Sequence, residues 1–264
     1  VTRRRWTRAI LPAYLGAGLL YLFLPVSVVV LFSFNDLQGR FNVAWQGFTL
    51  RHWLDPFRVP DIPRALLLSL LIAFISSALA TVLGTLMALA LVRYRFRGHA
   101  ATNLLLFFPM ATPEVVMGSS LLALFVALRM GTGLATILIA HILFILSYAV
   151  ATVRARIVGF DRHLEEAAMD LYANEWQTFR HVTLPMIMPG VFAAFLLGFA
   201  LSFDDFIVTN FNSGSVQTFP LYVWGAARRG IPPQVNVFGT VIFVVTVTVM
   251  LLFLRFQRRT TARA

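Results

Sequence analysis

The chain has no cysteine and no lysine, and only 12% of its 264 residues are charged. Without Cys there is no disulfide, no thiol nucleophile and no thiolate metal site. Without Lys there is no P-loop lysine to grip ATP and no Schiff base; all 22 basic residues are Arg. If such a chain moves a solute uphill by ATP hydrolysis, another subunit holds the ATP and its Mg²⁺, and this chain carries no cofactor. Nor does any motif for catalysis on a substrate appear, so no catalytic residue is expected. His141 has no second His, Cys or acid at i+3 or i+4 to complete a metal site; it reads as a hydrogen-bonded helix contact. No metal site is expected.

What fills the chain instead is apolar. Hydrophobic residues make up 59% and the mean hydropathy is +0.79, against about half apolar and about a quarter charged in soluble domains. This is the composition of a polytopic membrane protein. The first apolar run is too long for a cleavable signal, and no small-residue cleavage pattern follows it. The net charge of +11 can attract nucleic acid, but the arginines flank apolar runs. There they set topology at lipid headgroups, and nucleic acid is not an expected partner.

A bilayer-spanning helix takes about 20 apolar residues. Six stretches qualify: Ile10–Phe34, Ala65–Val92, Leu104–Leu128, Leu134–Val153, Gly190–Val208 and Val237–Leu254. The expected architecture is an all-α membrane protein with six transmembrane helices, residues 1–264 forming one transmembrane domain. An even count puts both termini on one side. Arg3, Arg4, Arg5 and Arg8, then Arg93, Arg95 and Arg97, then Arg154, Arg156, Arg162 and Arg180, then Arg255, Arg258, Arg259 and Arg263 share that side, 15 in all. The other side has seven: Arg40, Arg51, Arg58, Arg64, Arg129, Arg228 and Arg229. The positive-inside rule makes the richer side, and both termini, cytoplasmic.

Two outward loops are long, Asn35–Arg64 and Thr209–Asn236. The first carries Trp45, Phe48, Trp53 and Phe57; it can lie flat as an interfacial segment or dock an external partner. The second span has small residues in helical rows, Ser76, Ala80, Gly84 and Ala88 beside Ser69, Ala73, Ser77, Thr81 and Thr85. Such rows let helices approach closely in lipid, so this span is expected to be surrounded by protein.

Between the fourth and fifth spans, residues 154–189 form a cytoplasmic loop. Asp161 to His181 is polar with helical composition, and Leu164, Ala168, Leu171 and Phe179 are its candidate apolar contacts. Pro185 and Pro189 are expected to stop a helix from running on into the fifth span. The result is one or two short helices, which composition alone leaves as either an amphipathic connector or a contact for another protein.

The pattern in this loop resembles the EAA loop of permease subunits of binding-protein-dependent ABC importers: Glu-Ala-Ala, three residues, Gly, nine residues, an aliphatic, one residue, Leu-Pro. Glu166-Ala167-Ala168, Val182 and Leu184-Pro185 fall in register, and Tyr172 stands at the glycine position. The family uses that Gly for a turn between two short helices. The resemblance implies a type I ABC importer permease architecture whose coupling loop docks in a cleft on the ATPase. Glu165, Glu166, Ala167, Ala168, Asp170, Tyr172, Ala173, Leu184 and Pro185 would be its coupling residues. It also implies the partners: a second permease chain, different but similar, two ATP-binding subunits on the cytoplasmic side, an external solute-binding protein and membrane lipids. The location would be the bacterial cytoplasmic (inner) membrane.

Further stretches look like the spermidine/putrescine-type permeases: Ser33-Phe34-Asn35, Gly47-Phe48-Thr49-Leu50, Ser202-Phe203-Asp204-Asp205-Phe206, and Arg228-Arg229-Gly230 followed by Pro233 and Asn236. The usual Pro-Glu-Ile-Asn-Ala reads Pro233-Gln234-Val235-Asn236-Val237 here. The implied function is import of polyamines by alternating access, and relatives carrying other small solutes share parts of these motifs. The rival classes are a self-powered carrier or channel, which calls for a proton relay or internal repeats, and a scaffold with no pathway.

Three acids lie in apolar surroundings: Glu114, Asp204 and Asp205. Ionisable groups at such depth cost several kcal/mol and usually face a cavity or a partner. Glu114 is roughly 15 Å into the third span and Asp204 roughly 22 Å beyond Pro189. A polyamine site needs separated carboxylates with apolar or aromatic wall between, and ring faces attract ammonium groups. Phe203, Phe206, Tyr222 and Trp224 are the candidate rings. Each acid has a structural alternative. Thr112-Pro113-Glu114 reads equally as a restarted helix, with Thr as N-cap and Glu on the positive end of the dipole. Asp204 or Asp205 can pair with Arg228 or Arg229. As helix neighbours the two aspartates point about 100° apart and need not share a cavity.

Overall fold

The computed structural model describes residues 3–159, 161 and 163–261, with side chains from 11 to 251 within that range. Arg162 and Arg263 of the topology tally lie outside the described residues. The side chains of Arg3, Arg4, Arg5, Arg8, Arg255, Arg258 and Arg259 lie outside them as well. Twelve α-helices are described: α1 Arg3–Phe32, α2 Arg51–Leu54, α3 Asp61–Arg93, α4 His99–Ala111, α5 Glu114–Ala127, α6 Leu134–Val158, α7 His163–Asp170, α8 Glu175–Thr178, α9 Leu184–Asp204, α10 Ile207–Asn212, α11 Phe219–Arg229 and α12 Pro233–Thr261. Among the described residues five helices are long and apolar enough to cross a membrane. The bent pair α4 and α5 makes a sixth if taken as one span, with 111° between its halves.

The break in that pair follows from Thr112-Pro113. Proline disfavours helical backbone at the residue before it, and Thr112 is extended, with its hydroxyl donating back to the Phe108 carbonyl at 2.7 Å. Thr112 therefore closes α4 rather than capping α5, contrary to the N-cap reading. Glu114 opens α5 at the positive end of its dipole, as that reading had it.

The prolines of the fifth stretch act differently from expectation. Helix continues from Glu175 to Asp204 without a stop at Pro185 or Pro189. The reason is local. Residues Phe179–Thr183 widen into a π-helical turn, whose longer hydrogen-bond step delivers Pro185 at the first turn of α9, where its missing N–H costs least. At the other end α6 runs on to Val158, past the expected limit at Val153. Its arginines find partners: Arg154 Nη1 donates to Asn103 Oδ1 at 2.6 Å and Arg156 Nε to the Met186 carbonyl at 3.1 Å. The non-membrane connector is thus shorter than residues 154–189.

Contacts divide the chain into two compact units, one running to Arg64 and resuming at Tyr222, the other spanning Ala65–Leu221. In the first, α1 packs on α12, with Phe23 edge-on to Phe243 at 6.2 Å. The loop after α1 is ordered by a buried amide. Asn35 donates to Asn42 Oδ1 (2.6 Å) and to the Ala44 carbonyl (2.8 Å), and its own side-chain oxygen accepts from the Gln46 amide (2.7 Å). Phe34 stacks on Phe48 and on Trp53, so two of the four loop rings pack into the loop itself. Gly230 has φ +130°, and a Cβ there would meet the Arg40 carbonyl oxygen at 2.5 Å.

In the second unit α3, α6 and α9 form the core. Lipid tails supply no hydrophobic drive between helices, so close packing does the work. The small rows of α3 are buried, from Ser69 to Ala88. The other face of α3, with Phe74, Val82 and Leu86, is exposed. Protein thus covers one side of this span within the chain, rather than all of it. A Cβ on Gly84 would lie 2.7 Å from the Ala149 Cβ.

Candidate functional site

A cavity of about 570 Å³ opens within the second unit where α4 breaks to α5 and α9 gives way to α10. It is lined by Glu114, Asp204, Asp205, Phe206, Phe144 and Tyr148 among others. The three acids flagged in the sequence, ninety residues apart at the extremes, thus meet at one opening. Phe203 does not line it; that ring stacks on Phe199 at 6.3 Å. Tyr222 and Trp224 sit on α11 in the other unit and are not among its lining residues. Burial raises the pKa of the half-buried Tyr222 phenol, with Asp61 adding to the effect and Arg229 opposing it. Arg228 lies 4.8 Å above the Trp224 ring, and Arg229 Nε donates to the Gly225 carbonyl.

The two aspartates have different jobs because the helix ends between them. Asp204 is the last residue of α9 and exposed to the cavity, while Asp205 turns into extended backbone. Asp205 is buried, and its carboxylate caps α10, accepting from the Thr209 amide and hydroxyl, each at 2.7 Å. His141 Nε2 stands 3.3 Å from the same carboxylate and 2.9 Å from the Thr209 hydroxyl. His141 Nδ1 shares a 2.6 Å hydrogen bond with Ser202, which meets Ser76 at 3.0 Å. One polar chain therefore ties α3, α6, α9 and α10 together, and its histidine is the hydrogen-bonded helix contact that the sequence suggests. Asp205 takes this histidine as its neighbour. Glu114 and Asp204 form no ion pair among the described residues.

The connector between α6 and α9 folds as two short helices. α7 carries Glu165, Glu166, Ala167, Ala168 and Asp170; α8 starts at Glu175 behind an Asn174 cap whose side chain accepts from the Gln177 amide. Glu166 is exposed and meets His163 at 3.0 Å; this hydrogen bond raises the histidine's pKa, with the nearby Asp161 charge adding to it. Glu165, one residue earlier, is buried and paired with Arg93. Leu171 and Tyr172 form the exposed tip, at 83% and 97% exposure. The Ala173 amide donates to the Ala168 carbonyl (3.1 Å), closing α7, and Leu184 packs on the core at the head of α9 beside Pro185.

Residues 80–263 match the family described as "Binding-protein-dependent transport system inner membrane component". The chain belongs to that family. The permease is 38% identical, over 88% of its length and 90% of the relative's, to the spermidine/putrescine transport system permease protein PotC of Haemophilus influenzae. It is 37% identical to the putrescine transport system permease protein PotI of Escherichia coli K12, over 85% and 82% of the two chains. Its fold matches a subunit of a bacterial ABC transporter involved in the import of the acidic polysaccharide alginate. There the TM-score is 0.74 over 98% and 96% of the chains, at 15% identity. The permease is a multi-pass inner-membrane protein of all-α importer fold, and its relatives are transport proteins rather than enzymes.

Between α7 and α8 the permease turns without a glycine. Tyr172 adopts φ +65°, a left-handed conformation that glycine enters freely and other residues enter at a cost. Replacing Tyr172 by Gly is therefore expected to stabilise the α7–α8 turn by about 1 kcal/mol. Hydrogen exchange of the 168–177 amides would slow accordingly, and faster exchange would contradict it.

Several residues of these two regions escaped the sequence reading. In the sequence Arg93 enters only as a topology-setting charge, Thr183 has no assigned role, and Phe144, Tyr148 and Met117 are ordinary span residues by pattern. The serines at 76 and 202 carried a usable signal, since each is a polar residue in an apolar helical run with a partner to find. Nothing in spacing pairs Arg93 with a residue 72 positions away.

Proposed function

We propose that this chain is the transmembrane permease half of an ATP-driven importer that moves polyamines, spermidine or putrescine, inward by alternating access. One observation carries the substrate assignment: a cavity lined by two carboxylates that form no ion pair among the described residues, Glu114 and Asp204, with aromatic and aliphatic wall beside them. A diamine has the matching form, two cations joined by methylenes. Carboxylates bind ammonium groups through charge-assisted hydrogen bonds, and the Phe144, Tyr148 and Phe206 rings suit both methylenes and ammonium faces. The names of the relatives point to the same solutes.

The rest of the machine lies in other chains. A second, different but similar permease subunit faces this one; two ATP-binding subunits sit on the cytoplasmic side and hold ATP and Mg²⁺; an external protein delivers the solute. Both termini are cytoplasmic. The α7–α8 tip, with Glu166, Leu171, Tyr172 and Trp176 exposed, docks on an ATP-binding subunit. Closure of the ATP-binding pair drives the spans through that contact.

The test is ATP hydrolysis by the complex reconstituted with its binding protein, with spermidine, putrescine and a neutral sugar supplied in turn. Stimulation by the polyamines and not by the sugar is the expected result. Stimulation by the sugar would keep the importer class and discard the polyamine assignment.

A further inference from the structure

Three elements meet at one carboxylate on the cytoplasmic side of the second unit. Glu165 of α7 is 7% exposed, and a single oxygen, Oε1, accepts from both Arg93 Nη2 and the Thr183 hydroxyl. Arg93 Nη2 also reaches Thr183 Oγ1 at 3.4 Å. Arg93 is the last residue of α3, Glu165 lies in the first turn of α7, and Thr183 closes the π-helical turn that leads into α9. The junction borders a groove of about 590 Å³ whose walls include Leu86, Trp176 and Phe179. Neighbouring acids on a helix point about 100° apart, and α7 uses that divergence: Glu166 faces outward beside His163, while Glu165 faces the spans.

We infer that the Arg93–Glu165–Thr183 junction is a positioning device that carries movement of the coupling helix to the second span. The reading of α7–α8 as the ATP-driven contact underlies this step. By the covalent path α7 reaches α9 through α8 and the π turn. Without the junction, α3 would follow α7 only indirectly, through packing and the Ser76–Ser202 hydrogen bond to α9. With it, a pull on α7 displaces the ends of two spans together, because the Glu165 carboxylate is buried: parting it from Arg93 leaves its charge uncompensated. Glu165 then acts inside the permease, and Glu166 is left as the acid presented to the partner.

The experiment compares wild type, Glu165→Gln, Arg93→Gln, the double variant and Thr183→Val in reconstituted complexes. Radiolabelled putrescine and spermidine import is counted per ATP hydrolysed. Each glutamine variant is expected to assemble and to move about 5- to 10-fold less solute per ATP. The double variant should lose no more than the worse single, since the two side chains work as one element. A merely structural role would lower yield or thermal stability and leave the ratio alone. Wild-type ratios in both single variants, or losses that multiply in the double, overturn the inference. So does failure of every variant to assemble, Thr183→Val included, because that change keeps the ion pair and would mark the junction as a folding element only. If wild type itself shows no ATP-driven uptake, the importer reading falls and takes this one with it.

Discussion

Asp205→Ala is expected to destabilise the permease by about 3 kcal/mol, whereas Asp204→Ala leaves stability within about 0.5 kcal/mol. The two residues are adjacent, yet their side chains do unrelated things. Asp205 is buried and caps α10 through Thr209, and it stands beside the buried His141. Losing its carboxylate removes a helix cap, worth about 1 kcal/mol, and strands a buried imidazole among polar groups built around the charge. α10 in turn seats against α5, where Gly118 admits Phe211 and Val208 so closely that a Cβ would lie 2.9 Å from the Phe211 ring. Asp205→Asn keeps a capping oxygen and gives up the charge, so it should fall between wild type and alanine. The half-point of thermal aggregation of the purified complex reads this order directly. Equal shifts for Asp204→Ala and Asp205→Ala would refute the division of labour.

Glu114→Gln combined with Asp204→Asn is expected to show the opposite signature, normal stability and a large loss of transport. A hydrogen bond to a charged group contributes about 1.5–3 kcal/mol, so each single change should lower putrescine uptake at subsaturating solute by roughly tenfold, and the pair by roughly a hundredfold. Both side chains are exposed to the cavity and neither has an ion-pair partner among the described residues, which is why folding should tolerate their neutralisation. Uptake of the radiolabelled diamine into proteoliposomes is the measurement. Wild-type uptake by the double variant would return both acids to a structural role, with Glu114 serving only the α5 dipole.

The sequence displays the spans because a run of about 20 apolar residues has few other uses, and it displays the third-span break because Thr112-Pro113 restricts the backbone locally. Proline was less reliable at 185 and 189. The rule that it ends a helix assumes regular α spacing on its N-terminal side, and the π turn at Phe179–Thr183 removes that assumption for Pro185; Pro189 is carried inside α9. Asp204 and Asp205 diverge, but not as neighbours on one helix. The helix stops at Asp204, so both carboxylates border one cavity and one of them is spent on capping. Tyr172 stands where the resemblance puts a turn glycine, yet tyrosine seldom takes positive φ; the bonds closing α7 and the Asn174 cap flank it in the turn. Pairings across the chain, such as His141 with Asp205 and Arg93 with Glu165, depend on how helices dock, and no local pattern encodes that.

Unbroken helix from Glu175 to Asp204 makes a rod of 30 residues, about 45 Å long. One end lies beside the exposed α7–α8 tip and the other carries the Asp204 carboxylate. A rod of that length is a lever: a tilt of about 10° around its midpoint moves each end by about 4 Å. Glu114 stands on a separate helix across the break, so such a tilt alters the separation of the two carboxylates directly. A cation fitted to one spacing is held poorly at another. The same stroke that reorients the spans would therefore loosen the solute's grip.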